Sequence, residues 1–138
     1  MSQRQDLKTL YHCVYSLQYH LVLVTKYRRK CLSEEMRRRL LEIFGELCKK
    51  WECELKECNG EEDHMHLLVS LTPKVTPSVF VNNLKTVSAR LLRKEYEAEL
   101  ARWYTERVLW SRTYCMVTCG GAPLSVLKRY IENQGVLS

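Results

Sequence analysis

The sequence predicts an α+β fold with a four-stranded antiparallel sheet, helices on one face of that sheet, and an additional C-terminal helix. Apolar residues occupy the odd positions of the segment Met65–Leu71, and this period of two is typical of a half-buried strand. Apolar residues recur instead at helical spacing after Ser33 and after Pro77. The resulting order is strand, helix, strand, strand, helix, strand, helix, and its first six elements match the split βαβ arrangement of ferredoxin-like and RRM-like folds.

The first predicted strand is Tyr11–Thr25, which is rich in Tyr, Val and Leu and follows a short tail of residues 1–10. Its end, residues 21–24, is apolar on both faces, as in a central strand. The basic segment Lys26–Lys30 comes next, with four cations around Tyr27. This composition suits a loop that contacts phosphates, although a solvated run of charges explains it equally well.

The first predicted helix begins after Ser33, an N-cap hydroxyl followed by two acidic residues, and runs to about Lys50. A short second strand is predicted at Cys53–Cys58. Asn59–Gly60 is a turn signal because both residue types tolerate positive φ. We therefore expect a hairpin between this strand and the next one, which carries His64 and His66.

The second predicted helix opens with Thr76 and Pro77, proline being favoured at the first helical position. Its predicted buried stripe is Phe80, Leu84, Val87 and Leu91, with Lys85, Ser88 and Arg93 off the stripe. Residues 95–107 give no clear pattern. Leu109–Cys119 is predicted to be the fourth strand, ended by Gly120–Gly121, and Pro123 opens a last helix over Leu124–Gln134.

Composition indicates a single domain over residues 1–138 with a nucleic-acid partner. The chain is 46% hydrophobic, enough for a core, and has no apolar run of about 18 residues that could span a membrane. The N-terminus lacks an apolar signal sequence, so we expect a cytoplasmic protein. A net charge of +6 favours a polyanion, of which nucleic acid is the commonest.

The seven cysteines contain no Cys-x-x-Cys pair, which argues against a zinc ribbon and a thioredoxin motif. We interpret them as small apolar residues that stay reduced. A zinc site built from Cys58, His64 and His66 remains an alternative.

His64 and His66 are the strongest candidates for a metal site. They are separated by one residue on a predicted strand, so both side chains point to the face opposite the core. Two of the chain's four histidines lie in this window, and neutral imidazole is a ready metal ligand. The alternative is two ordinary surface histidines.

Tyr130 and Gln134 are a second pair of candidates. They are four residues apart on the last predicted helix and therefore about 40° apart around its axis. A tyrosine hydroxyl can act as a covalent nucleophile, and a glutamine amide oxygen can complete a metal site. Taken alone, the two residues are better explained as a half-buried aromatic anchor and a polar surface residue.

Taken together, these segments resemble the HUH single-tyrosine transposases of the insertion-sequence 200/605 type. The resemblance runs through nearly the whole chain, and its specific part is the pairing of a mid-chain His-Met-His with a C-terminal Tyr-Ile-Glu-Asn-Gln. The segments that carry it are Tyr19–Val22, Thr25–Arg29, Asp63–Val69, Leu84–Lys85, Leu109–Ser111, Gly120–Gly121 and Lys128–Gln134.

The resemblance implies an enzyme that cuts and rejoins single-stranded DNA at the ends of a mobile element. His64, His66 and Gln134 would bind Mg²⁺ or Mn²⁺, which would polarise the scissile phosphate. Tyr130 would attack it, giving a 5′-phosphotyrosine link and a free 3′-hydroxyl. The sequence has no Walker-type Gly-x4-Gly-Lys-Ser/Thr loop, in agreement with a transesterification that needs no ATP.

The resemblance further implies a homodimer, in which the tyrosine helix of one subunit completes the histidine site of the other, and a hairpin in single-stranded DNA as the substrate. Our candidates for DNA backbone contacts are Lys26, Arg28, Arg29, Lys85 and Arg90. Two alternatives remain open. One is a non-catalytic, transposase-derived nucleic-acid-binding regulator, and the other is a zinc-dependent structural protein.

Overall fold

A four-stranded antiparallel sheet organises the protein, as predicted. The computed structural model describes residues 7–10, 13–119 and 128–133. The sheet strands are β3 (Leu17–Val24), β4 (Glu54–Glu61), β5 (His64–Leu71) and β6 (Cys115–Thr118), and they pair in the order β4-β5-β3-β6. A separate two-stranded sheet is formed by β1 (Lys8–Leu10) and β2 (Cys13–Tyr15).

Three helices accompany the strands: α1 (Glu34–Lys50), α2 (Pro77–Glu95) and the short α3 (Glu97–Ala101). Ser33 caps α1 as predicted, its hydroxyl accepting a hydrogen bond from the Met36 backbone N–H at 3.2 Å. Residues 128–133 form a further helical segment. The predicted beginning of that helix and the Gly120–Gly121 break lie outside the described residues.

The main core lies between α1, α2 and one face of the sheet. Leu21 and Leu23 of β3 and Met65 and Leu67 of β5 pack there with the buried faces of the two helices. The opposite face carries a smaller cluster in which Val22 and Val24 contact residues of β6 and of segment 128–133. Residues 21–24 are completely buried because β3 is central and covered on both faces, which confirms that prediction.

The first predicted strand was too long. Cys13–Tyr15 does not continue into the main sheet but pairs with Lys8–Leu10, part of the predicted tail. The fourth strand was also too long: it is limited to Cys115–Thr118, and Trp110 makes only an isolated bridge with Thr25. Leu109 and Trp110 are apolar because they fill the core, not because they belong to a strand.

The predicted turn at Asn59–Gly60 was wrong. Both residues lie within β4, with Asn59 paired to His66 and Gly60 to Met65, and the chain turns at residues 62–63 instead. A Cβ on Gly60 would meet the backbone carbonyl oxygen of His64 and would lie 2.9 Å from Cα of Met65. This glycine therefore permits a close approach of two strands rather than a turn.

Ser88 was assigned to the wrong side of α2. It is fully buried, and its hydroxyl accepts a hydrogen bond from the Trp110 indole N–H at 2.9 Å. A small polar residue can lie within an apolar stripe when its hydroxyl has a partner. Phe80 and Leu84 are buried as predicted. None of the helices in the described parts of the chain is long and apolar enough to cross a bilayer.

Candidate active site

His64 and His66 lie on the face of β5 that is opposite the main core. Met65 and Leu67, which alternate with them, are buried in that core. Both histidines line a cavity of about 560 Å³. The same cavity is lined by Lys128, Ile131 and Glu132 of the helical segment that bears Tyr130, so β5 and that segment both contribute to its surface. Three side chains of β4 also line it: Glu57, Asn59 and Glu61.

The His64 imidazole is held by the Asp63 carboxylate, which is held in turn by the Arg28 guanidinium. Asp63 accepts a hydrogen bond from Nδ1 of His64 at 2.8 Å, and its other oxygen accepts one from Nε of Arg28 at 3.0 Å. Burial tends to raise the pKa of Asp63, but the hydrogen bonds from His64 and Arg28 outweigh burial and keep that pKa below its usual value. An ionised carboxylate only accepts, so Nδ1 carries the proton and Nε2 of His64 is left for a ligand.

Arg28 reaches Asp63 from an unusual turn. Tyr27 and Arg28 have φ angles of 60° and 54°, in the left-handed region that few side chains adopt. The turn is fixed by Thr25, whose hydroxyl donates to the Arg29 carbonyl oxygen at 2.6 Å. Arg28 also donates through Nη1 to the Glu132 carbonyl oxygen at 3.0 Å. One side chain thus links the β3–α1 connection, the histidine strand and the C-terminal helical segment.

His66 has a partner that the sequence did not predict. Its Nε2 atom lies 2.9 Å from Nδ1 of His20, and the two rings stack with centroids 5.1 Å apart. Burial lowers the pKa of His66, and the neighbouring His20 lowers it further, so the neutral form that metals bind is favoured. A metal bound to Nε2 of His66 would replace the hydrogen bond to His20, whereas one bound to Nδ1 would preserve it.

Tyr130 is half-buried against Val22 and Val24 on the same sheet face as the histidines. Its hydroxyl donates to the Thr113 hydroxyl at 3.1 Å, and Tyr130 is not among the residues that line the cavity, although Ile131 is. Burial raises the pKa of the Tyr130 phenol, while the bond with Thr113 opposes that rise. These contacts agree with the interpretation of Tyr130 as a half-buried aromatic anchor.

The donor set fits a two-histidine metal site that needs a further ligand. Within residues 7–10, 13–119 and 128–133, no group of three or more His, Cys, Asp or Glu side chains could hold a metal ion. The predicted third ligand, Gln134, lies outside the described residues. His64 and His66 satisfy the chemistry of the pair, since the first has a carboxylate partner on Nδ1 and the second is kept neutral by burial.

The alternative zinc site is wrong in geometry. Cys58 pairs with Leu67 on β5 and packs against the main core, on the sheet face opposite His64 and His66. Burial raises its thiol pKa to about 12, as expected for a cysteine that serves as a small apolar residue.

The predicted DNA-contacting residues fall into two groups. Arg28 lines the histidine cavity, and Lys26 and Arg29 place their charges 5.4 Å and 5.3 Å from the centroid of the Tyr27 ring. Lys85 and Arg90 lie on α2, on the side of the sheet that carries the helices. Lys85 donates to the Arg112 carbonyl oxygen at 2.9 Å and contacts the Tyr114 ring, whereas Arg90 is exposed.

Three residues that shape the site carried no role in the sequence prediction: His20, Asp63 and Thr113. Asp63 directly precedes His64, and an acidic residue next to a candidate metal ligand is a usable signal for a partner that orients it. His20 becomes recognisable only from the register, because it lies on the face of β3 shared with Val22, the residue opposite His66. Thr113 lies on no regular element, so sequence periodicity could not place it.

The known proteins to which this chain is similar are transposases. The family model described as "Transposase IS200 like" matches residues 13–134. The transposase for insertion sequence element IS200 from Salmonella typhimurium is 32% identical over 129 residues, covering 94% of this chain and 84% of that protein. The ISDra2 transposase TnpA from Deinococcus radiodurans is 33% identical over 121 residues, covering 88% and 86%.

Solved structures that share the fold include two transposases. One, from Deinococcus radiodurans and described only as a candidate transposase, superposes with a TM-score of 0.83 at 32% identity and covers 92% of this chain and 97% of its own. The other is a REP-associated tyrosine transposase bound to a REP hairpin, with a TM-score of 0.51 at 10% identity, covering 90% of this chain and 68% of its own. At that identity the second structure supports the fold alone.

Proposed function

The chain belongs to the IS200-like transposase family, and on that premise we propose that it cleaves and rejoins single-stranded DNA at insertion-sequence ends through a 5′-phosphotyrosine intermediate. The observation that carries this proposal is the cavity itself. It is lined both by His64 and His66 and by Lys128, Ile131 and Glu132 of the segment that bears Tyr130. That His64 and His66 and the segment bearing Tyr130, some sixty residues apart in sequence, line one cavity supports the proposal.

The proposed metal is Mg²⁺ or Mn²⁺, held by His64, His66 and Gln134. When bound, such an ion polarises a phosphoryl oxygen and orients the scissile phosphate. The chain's own contribution is to fix the ligands. The Asp63 carboxylate accepts a hydrogen bond from Nδ1 of His64 at 2.8 Å and thereby keeps the imidazole proton on that nitrogen. Nε of Arg28 donates to the other Asp63 oxygen at 3.0 Å and holds the carboxylate in place.

The proposed nucleophile is the Tyr130 oxygen. This oxygen forms a bond to phosphorus as the bond to the 3′ oxygen breaks. The phenol loses its proton and the departing 3′ oxygen gains one, so the leaving strand ends in a 3′-hydroxyl and the phosphodiester is kept as a tyrosine ester. In the resting chain the Tyr130 hydroxyl donates a hydrogen bond to the Thr113 hydroxyl at 3.1 Å. Attack by another 3′-hydroxyl on the same phosphorus reverses the step and joins the strands.

We further propose a homodimer in which the tyrosine helix of one subunit serves the histidines of the other. Within one subunit the Tyr130 hydroxyl is engaged by Thr113 and Tyr130 does not line the cavity, whereas its neighbours Ile131 and Glu132 do. Mixing a Tyr130→Phe subunit with a His64→Ala/His66→Ala subunit tests this arrangement. Restored cleavage in the mixture supports the shared site, and an inactive mixture argues for a site built within one subunit.

The proposed substrate is single-stranded DNA that folds into an imperfect hairpin beside the cleavage site. This substrate is the one that the resemblance of the sequence to the single-tyrosine transposases implies. On this chain, Lys26, Arg28 and Arg29 are the proposed backbone contacts nearest the cavity, and Lys85 and Arg90 on α2 are proposed contacts further away. We propose a cytoplasmic location for the protein on the same ground, because the element's DNA is the substrate.

Cleavage of single-stranded DNA that carries the element's ends tests the proposal. His64→Ala and His66→Ala should abolish cleavage and leave DNA binding largely intact, because the histidines contribute chemistry rather than electrostatic attraction. Full cleavage in excess chelator would contradict the metal requirement. Tight hairpin binding without cleavage under all metal conditions would favour the alternative of a non-catalytic regulator.

A further inference from the structure

We propose that a second groove, beside the catalytic cavity, holds unpaired bases of the single-stranded DNA, with the Trp103 indole as a stacking platform. We call it the Trp103 groove; it measures about 230 Å³ and is bounded by the start of α1, Glu62 and Trp103. This inference rests on the proposed function, since it names where a strand that crosses the catalytic cavity continues.

The Trp103 groove is continuous with the catalytic cavity. Lys30 and Glu62 line both spaces. The two residues are held together by the backbone, because the Leu32 N–H donates to the Glu62 carbonyl oxygen at 2.9 Å. A strand whose phosphate lies at the histidines can therefore extend over Lys30 into the Trp103 groove without leaving the surface.

The Trp103 side chain is exposed, whereas the other two tryptophan side chains are buried or hydrogen-bonded. Its exposed fraction is 39%, whereas Trp110 is 7% exposed and Trp51 donates its indole N–H to Asn83 at 3.0 Å. The only other aromatic among the exposed large hydrophobic side chains of the described residues is Tyr27, at 44%. The Arg29 guanidinium lies 5.3 Å from the Tyr27 ring centroid and also donates to the backbone carbonyl of Trp103, so both exposed aromatic residues are attached to the basic segment Lys26–Lys30.

The platform is preorganised. Arg29 donates through Nη1 to the Trp103 carbonyl oxygen, and its guanidinium lies 5.3 Å from the Tyr104 ring centroid. The Tyr104 hydroxyl donates to the Lys26 carbonyl oxygen at 2.6 Å. These bonds join the segment carrying Trp103 to the basic turn before any ligand binds, which lowers the conformational entropy lost on binding.

The charged residues in and beside the Trp103 groove favour one class of ligand. Lys30 and Arg102 in the Trp103 groove are offset by Glu62 and Glu99, so the groove itself is close to neutral. The adjoining segment Lys26–Lys30 has four cations and no acidic residue. A ligand with apolar planar groups and a flanking anionic backbone matches this layout, and unpaired nucleotides have both. A base-paired duplex would keep its bases away from the indole.

The test is an affinity measurement on the full chain with chelator in excess, so that no strand is cut. The probes are a fluorescent oligothymidylate of about twelve nucleotides and an equally long strand of abasic sites, which keeps the phosphates and lacks the bases. The variants are Trp103→Ala, Trp103→Phe and, as a matched control, Leu41→Ala. Leu41 is 45% exposed on α1 and does not line the Trp103 groove.

We expect Trp103→Ala to bind oligothymidylate about tenfold more weakly than the unaltered chain, the loss of one base stacked on an indole. Trp103→Phe should retain most of the affinity because it keeps an aromatic face. Leu41→Ala should match the unaltered chain, and all four proteins should bind the abasic strand alike. An unchanged thermal midpoint for Trp103→Ala confirms that the fold is retained.

Three results would overturn the assignment. They are an unaltered affinity in Trp103→Ala, an equal loss on the abasic strand, and no preference of the unaltered chain for oligothymidylate over the abasic strand. The first would leave the Trp103 groove to another class of partner, such as an apolar peptide. Because the assay measures binding without cleavage, its failure is distinct from a failure of the proposed transesterification, which the Tyr130 and histidine variants report.

Discussion

Replacement of Arg28 by alanine is the perturbation that best examines how the site is held together. Arg28 donates to Asp63 at 3.0 Å and to the Glu132 carbonyl oxygen at 3.0 Å. Its removal leaves the Asp63 carboxylate, which is only 9% exposed, with the His64 imidazole as its other hydrogen-bond partner, and it breaks the bond between the β3–α1 connection and the helical segment 128–133. Both stability and ligand geometry should therefore change.

The expected size of the stability loss follows from the exposure of the two partners. A hydrogen bond to a charged group contributes about 1.5–3 kcal/mol when buried. The Arg28 side chain is 35% exposed, so solvent screening reduces the Asp63 interaction to about 1 kcal/mol. The exposed bond to Glu132 adds about 0.5 kcal/mol. We expect Arg28→Ala to lower the free energy of unfolding by about 1–2 kcal/mol in total.

Urea unfolding followed by circular dichroism measures this loss, with Arg38→Ala as the matched control. Arg38 bonds Glu34 at 2.8 Å, but both side chains are more than two-thirds exposed, so this variant should leave the transition unchanged. Arg28→Lys should fall between the two, because it keeps the charge and loses the two-pronged geometry. An Arg28→Ala transition that coincides with that of Arg38→Ala would refute the idea that Arg28 holds the site together.

Three further predictions concern the fold around the site. Gly60→Ala should destabilise the protein, because the new Cβ would meet the backbone of β5. Gly45→Ala on α1 should stabilise it by about 0.5–1 kcal/mol, because the new Cβ would have no neighbouring atom within 4 Å and alanine favours a helix. Urea unfolding compares the two variants. Ser88→Ala should cost about 1–3 kcal/mol in the same assay by leaving the buried Trp110 indole N–H without its acceptor. Cys58, whose thiol pKa is raised to about 12 by burial, should resist iodoacetamide at pH near 8 in the native chain and react in urea, as read by mass spectrometry.

The fold was largely predictable because its periodic signals are strong. The alternation through Met65–Leu71 and the apolar stripes of α1 and α2 arise from burial, which periodicity reports directly. The errors fall where local residue type suggests one structure and tertiary contact decides another. Gly60 resembles a turn residue, yet it is needed for close packing against Met65. Ser88 resembles a surface residue, yet Trp110 satisfies its hydroxyl inside the core.

The candidate site was predictable only in part. The pair His64 and His66 could be predicted because strand residues two positions apart point to the same face of the sheet. The links that orient them were not visible, since Arg28 contacts Asp63 through a turn with two positive φ angles that no residue preference suggests. His20 reaches His66 only through the antiparallel register of β3 and β5. Long-range pairing of this kind cannot be read from one sequence.

The measurement that tests the central claim most directly is identification of the side chain that carries the cleaved DNA. The full chain is incubated with Mg²⁺ and single-stranded DNA bearing the element's ends, the covalent adduct is digested, and the modified peptide is located by mass spectrometry. The account predicts a 5′-phosphate ester on Tyr130 and no adduct in Tyr130→Phe. A phosphate ester on another side chain, an adduct in Tyr130→Phe, or cleavage without any adduct would contradict it.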